Sequence, residues 1–185
     1  MLTTLINLLL ALMTTDADAE ALRRTAPEPI TLAAARENLI GARIAGALTD
    51  IDPDLLLAIG WHESNYTSNY VQPEPPDPHD PEQRPRVSCG VMTPYPFVGT
   101  CPTSATLAEQ YLDGAVHLRQ WMERTTMPIL GYAGIAGSCS AGPVIRRGHD
   151  LCGYEREMRD RAELIRCARV NGTACILWIA TTAKG

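Results

Sequence analysis

The stretch Asp52-Pro53-Asp54-Leu55-Leu56-Leu57-Ala58-Ile59-Gly60-Trp61-His62-Glu63-Ser64-Asn65-Tyr66 constrains the fold more than any other part of the chain. It reads as a helix. Asp52 is a good N-cap, Pro53 suits the first helical position, and Asp54 puts negative charge at the positive end of the helix dipole. Leu56, Ile59 and Glu63 follow at i, i+3 and i+7 and share one face. That face is otherwise apolar and has to be packed into a core, yet it carries an acid. An ionised carboxylate is costly there, and the negative end of the dipole adds to the cost. Both effects favour the protonated form, which suits a general acid. The plain alternative is a surface glutamate on a helix whose buried face lies elsewhere.

The chain is 185 residues long, enough for one domain with a sizeable core. With 16 basic and 21 acidic residues its net charge is −5, so no polyanion-binding surface is expected and nucleic acid is not a partner. Three Trp and six Tyr against one Phe suit sugar stacking as well as ordinary core packing.

Residues 1–19 resemble a secretory signal. Leu5 to Met13 is an apolar run broken only by Asn7 and too short to span a bilayer, and Ala17-Asp18-Ala19 is a small-x-small site with cleavage expected before Glu20. No Lys or Arg precedes the run, so a frayed first helix is the other reading. An exported, periplasmic or extracellular chain with no stable membrane span is expected. Cys89, Cys101, Cys139, Cys152, Cys167 and Cys175 fit export as three disulfides. About 15 pairings are open, and sequential closure into three short loops is preferred. No Cys-x-x-Cys or paired-histidine spacing occurs, so neither a metal nor a cofactor is expected.

Residues 20–30 are polar, carry two prolines and read as a flexible arm. Thr31 then caps a helix to about Leu48, with Leu32, Ala35, Leu39 and Ala42 as its stripe. Residues 71–86 hold six prolines and read as a stiff exposed loop, either a bland insertion or one wall of a substrate cleft. Val87 to Pro96 suits a tight turn. Thr103 to Thr126 is helical, with a capping box at Thr106 and Glu109, a stripe of Leu107, Tyr111, Ala115, Leu118 and Met122, and Pro128 marking its end. Asp150 to Val170 is a charged helix with Met158, Ala162 and Ile165 inward, and Cys175 to Ala180 is a short apolar end.

The order of parts from about Ala42 to Tyr154 resembles the catalytic domain of soluble lytic transglycosylases. His62-Glu63-Ser64 at the end of the central helix is similar to that family's Glu-Ser motif. Ser88 followed by Gly90-Val91-Met92-Thr93 resembles its Ser and Gly-Leu-Met-Gln, with Thr in place of Gln. Gly114, His117 and Leu118 match a Gly followed by Tyr-Leu, with His in place of Tyr, and Tyr132-Ala133-Gly134 matches the last motif.

The resemblance implies a mainly α, lysozyme-like α+β fold, a helical bundle over residues 31–185 around a glycan-binding cleft. It also implies peptidoglycan as substrate. Glu63 would be general acid and then general base, with Ser64, Ser88, Gly90, Val91, Met92, Thr93 and Tyr132 against the glycan. Two other functions are open. A goose-type-lysozyme-like hydrolase would use Asp77 or Asp80 as a second acid to activate water. A non-catalytic, disulfide-rich glycan-binding protein would keep the fold without turnover.

Overall fold

In a computed structural model the described residues are 13–73, 86–93, 96–98, 101, 105–133, 139, 145–146, 149–172 and 175. The chain is mainly helical. In order, the elements are α1 (Asp16–Thr25), α2 (Leu32–Thr49), α3 (Pro53–Ser64), β1 (Val71–Pro73), β2 (Arg86–Cys89), β3 (Pro96–Val98), α4 (Leu107–Met122), α5 (Pro128–Tyr132), β4 (Ile145–Arg146), β5 (His149–Asp150) and α6 (Leu151–Asn171).

The central helix starts as its sequence dictates. The Asp52 side chain caps Asp54, and Pro53 opens α3. Leu56, Leu57, Ala58 and Ile59 are all fully buried, so α3 is surrounded rather than one-faced. α2 packs against α1, α3 and α4, and α6 crosses α3 and α1. The Thr31 cap holds, and Ala35, Leu39 and Ala42 are in the core. Leu32, in the exposed first turn of α2, lies off the stripe at 40 % exposure. In α4 the Thr106–Glu109 capping box forms, Tyr111, Ala115 and Leu118 are buried, and Met122 is exposed. Pro128 opens α5 as its first residue.

Two helices meet over a buried acid. Asp54 is 1 % exposed and pairs with Arg169 at 2.5 Å and with Arg166, which also bonds Asp52. Burial pushes the Asp54 carboxyl above its ordinary range despite the pull of Arg169 and Arg166. This cluster fastens the N-terminus of α3 to the end of α6.

Three expectations are corrected here. Of the segment 20–30 read as a flexible arm, the part up to Thr25 is helical, within a helix that begins at Asp16 and packs on α2 and α6 with Ala19 and Leu22 fully buried. A capping box of Thr15 with Asp18 starts it, and Arg43 of α2 binds Asp18 at 3.1 Å. The point expected for cleavage, before Glu20, thus lies inside α1. The proline-rich stretch is also not loop throughout. Val71–Pro73 is an edge strand, antiparallel to β2 with Val71 opposite Cys89. Proline is tolerated on such an edge. Residues 87–89, read as part of a turn, form the middle strand of the order β1-β2-β3, with Val87 opposite Phe97. The rest of the proline-rich stretch, with Asp77 and Asp80, lies outside the described residues, as does the apolar end beyond Cys175.

The three disulfides are Cys89–Cys101, Cys139–Cys152 and Cys167–Cys175, the sequential pairing. No described helix is long and apolar enough to cross a membrane.

Candidate functional site

Glu63 stands in the last turn of α3. Ile59, one turn earlier, is fully buried, while Glu63 is only half-buried. Both of its oxygens are engaged. Thr93 donates its hydroxyl to one at 2.7 Å, and Tyr154 donates its phenol to the other at 2.8 Å. Two donors from different parts of the chain fix the carboxyl in one orientation. Tyr154 is nearly buried, and burial together with the facing Glu63 pushes its phenol well above the ordinary range, so it stays a donor.

The segment Gly90–Thr93 is held one backbone group at a time. Gly90 donates its N–H to the Tyr70 carbonyl at 2.9 Å, and Val91 donates to Gln110 Oε1 at 2.9 Å. The Val91 carbonyl lies 3.0 Å from the Ser64 hydroxyl, which also reaches the Gly60 carbonyl at 2.9 Å. The Met92 carbonyl accepts from the Tyr132 phenol. Gly90 has φ +79°, and a Cβ there would stand 2.6 Å from Gln110 Oε1, so any side chain at this position is strained and would displace Gln110. The segment ends with Thr93 at φ 42°, a left-handed conformation costly for a β-branched residue. That conformation accompanies the hydroxyl's reach to Glu63.

Most residues expected to touch a glycan are buried. Val91 and Met92 are fully buried, Ser64, Ser88 and Tyr132 nearly so, and Gly90 is buried. Met92 packs on Gly114, where a Cβ would meet Met92 Cβ at 2.5 Å. Tyr132 ends α5, and α5 is tied to α6 by Glu155, which accepts the Leu130 N–H at 3.0 Å and pairs with Arg159. Of the expected site residues, Glu63 and Thr93 keep partial exposure, and they touch each other.

Tyr154 is the partner that sequence reasoning missed. It precedes Met158 by four residues and therefore opens the inward stripe of α6, a signal available from spacing alone. His62, read only as a neighbour of Glu63 in the motif, also meets Tyr154. Its ring lies 4.7 Å from that of Tyr154 and meets Trp61 edge-on at 5.9 Å. The Arg161 guanidinium stacks 3.4 Å from the Trp61 ring, so that indole face is covered by protein rather than open to sugar. His117 contacts the Tyr132 ring at 5.2 Å and accepts from Trp121 Nε1 at 3.3 Å. Burial, with Arg124 second, pulls the His117 imidazole below its ordinary range.

A cavity of about 530 Å³ lies beside the Cys139–Cys152 disulfide, between Met127 and the first turns of α6, and is lined by none of Glu63, Thr93 and Tyr132. Among the described residues no group of three or more His, Cys, Asp or Glu is placed to hold a metal ion. In chemical terms, the site is a single oriented carboxyl at a helix end, flanked by two hydroxyls. No family model, curated protein or solved structure matches this chain.

Proposed function

We propose that the protein is a peptidoglycan lytic transglycosylase with Glu63 as its general acid and base. The observation that carries this reading is the convergence on one carboxyl. Thr93 and Tyr154 both donate to Glu63, and Ser64 and Tyr132 hold the backbone leading to Thr93. Three of the four stretches of the resemblance, those with Glu63, Thr93 and Tyr132, thus share one hydrogen-bond network, which supports this reading.

In the proposed reaction, protonated Glu63 gives its proton to the glycosidic oxygen between N-acetylmuramic acid and N-acetylglucosamine. The C1–O bond breaks as an oxocarbenium-like state develops. The Glu63 carboxylate then takes the proton of the sugar's own 6-hydroxyl as that oxygen bonds to C1. A 1,6-anhydro ring closes, Glu63 ends protonated as it began, and no water is consumed. One acid suffices for both steps.

Mass spectrometry of the products from purified peptidoglycan tests this. Anhydro ends, lighter by one water than hydrolysis products, are expected. Glu63→Gln should keep the fold and lose about 10²–10⁴-fold in rate, the usual worth of general acid catalysis. Reducing-end products, abolished by Asp77→Asn or Asp80→Asn, would establish the hydrolase instead. Glycan binding with no cleavage by the wild type would establish the binding protein.

A further inference from the structure

Three consecutive residues of α3 engage α6, each differently. Trp61 carries the Arg161 guanidinium, His62 lies against the Tyr154 ring, and Glu63 accepts the Tyr154 hydroxyl. Tyr154 and Arg161 are seven residues apart, two turns along one side of α6. The exposed member of the trio is His62. Tyr154, by contrast, is only 9 % exposed although its hydroxyl serves a half-buried acid near the surface. His62 and Glu63 therefore contact the same phenol, one at its ring and one at its oxygen. The edge of Trp61 limits where the imidazole can go.

We propose that His62 is a positioning residue for Glu63, acting through Tyr154. Its ring covers the solvent side of the phenol, fixes the ring's tilt, and keeps water from competing for the Tyr154–Glu63 hydrogen bond. The role is one of shape and shielding, so a flat ring of similar size should perform it. The functional part of the inference rests on the transglycosylase reading, whereas the geometric part does not.

The test compares His62→Ala and His62→Phe with the wild type, by crystal structure and by kinetics on purified peptidoglycan. In His62→Ala the Tyr154 phenol should move off Glu63 or gain a water between them. The value of kcat should then fall about ten- to a hundredfold with KM little changed, since a hydrogen bond to the carboxylate formed during the reaction is lost. His62→Phe should keep the 2.8 Å contact and most of kcat. A His62→Ala protein with the Tyr154–Glu63 bond intact and wild-type kcat overturns the proposal. So does a His62→Phe protein as impaired as His62→Ala with that bond intact, which would assign the imidazole nitrogens to the substrate. If the wild type releases no product, the transglycosylase reading fails while the two crystal structures still decide the geometry.

Discussion

At the scale of single residues, the candidate site depends on hydroxyl groups aimed at one carboxyl. Tyr154→Phe removes one donor and nothing else, so the packing of α6 on α3 should survive. A tenfold or larger loss of kcat is expected from the missing bond to the carboxylate formed during the reaction, with a melting temperature within a few degrees of wild type. Steady-state kinetics and thermal melting check it, and unchanged kcat would show that Tyr154 is structural only. Thr93→Val keeps the branched shape and deletes the other donor, and it should lower kcat similarly. Glu63 stands out in the sequence as an acid at i+7 of an apolar stripe, and in the structure it is half-buried with a hydroxyl donor on each oxygen. Its partners were harder to see. Thr93 comes from a loop 30 residues away and Tyr154 from a helix 91 residues away. No local period links such positions. The burial of Val91 and Met92 was hidden for a related reason: a short motif says which residues are special without saying whether side chain or backbone is used.

At the scale of elements, α3 and α6 are joined at both ends, by Asp54 with Arg166 and Arg169 at one and by Glu63 with Tyr154 at the other. The first junction has a pH signature. Burial raises the folded-state pKa of Asp54 above its unfolded value. The native state therefore binds the proton more tightly, and stability from this group is fully present below the unfolded pKa of about 3.9 and lost as pH rises through the folded one. Other carboxylates act in the opposite sense. Arg23 and Arg24 hold exposed Glu20 at about 2, for example. The informative quantity is the stability of wild type minus that of Asp54→Asn, from denaturant melts between about pH 3 and 7. It should decline as pH rises, and an increase would mean that Arg169 dominates burial. A second element-level test is Gly114→Ala in α4. The added methyl would meet Met92 at 2.5 Å, and overpacking of this kind costs about 1–3 kcal/mol. Urea denaturation should show that loss. The caps of α2, α3 and α4 and the inward stripe of α6 were readable because each is a local signal, whereas the one-sided stripe read for α3 is buried all round. α1 was missed because its two prolines, Pro27 and Pro29, lie just past its end and lent a loop-like composition to the whole segment. β1 and β2 were missed because strands of three and four residues carry too little alternation to be seen beside prolines.

At the scale of the whole molecule, the bundle and its cross-links are separable. The disulfides span 12, 13 and 8 residues, whereas the core joins α1 to α6 and α2 to α4. Denatured, non-reduced protein should show no titratable thiol. Reduced protein should keep most of its far-ultraviolet helical signal and melt at lower temperature, since loops of this size are each worth up to about 3 kcal/mol. Loss of all helical signal on reduction would show that the core depends on the bridges. The sequential pairing was legible only as a preference, since spacing alone does not exclude crossed connections. The absence of any covalent tie between α1, α2 and α3 and the later helices bears on how the chain reaches its native state. Its cysteines need not search among distant partners. Each sits near its mate along the chain, so oxidation can follow assembly of the helices as a late, local step. A refolding experiment started from reduced chain should accordingly populate few scrambled isomers, and an isomerase should accelerate it little.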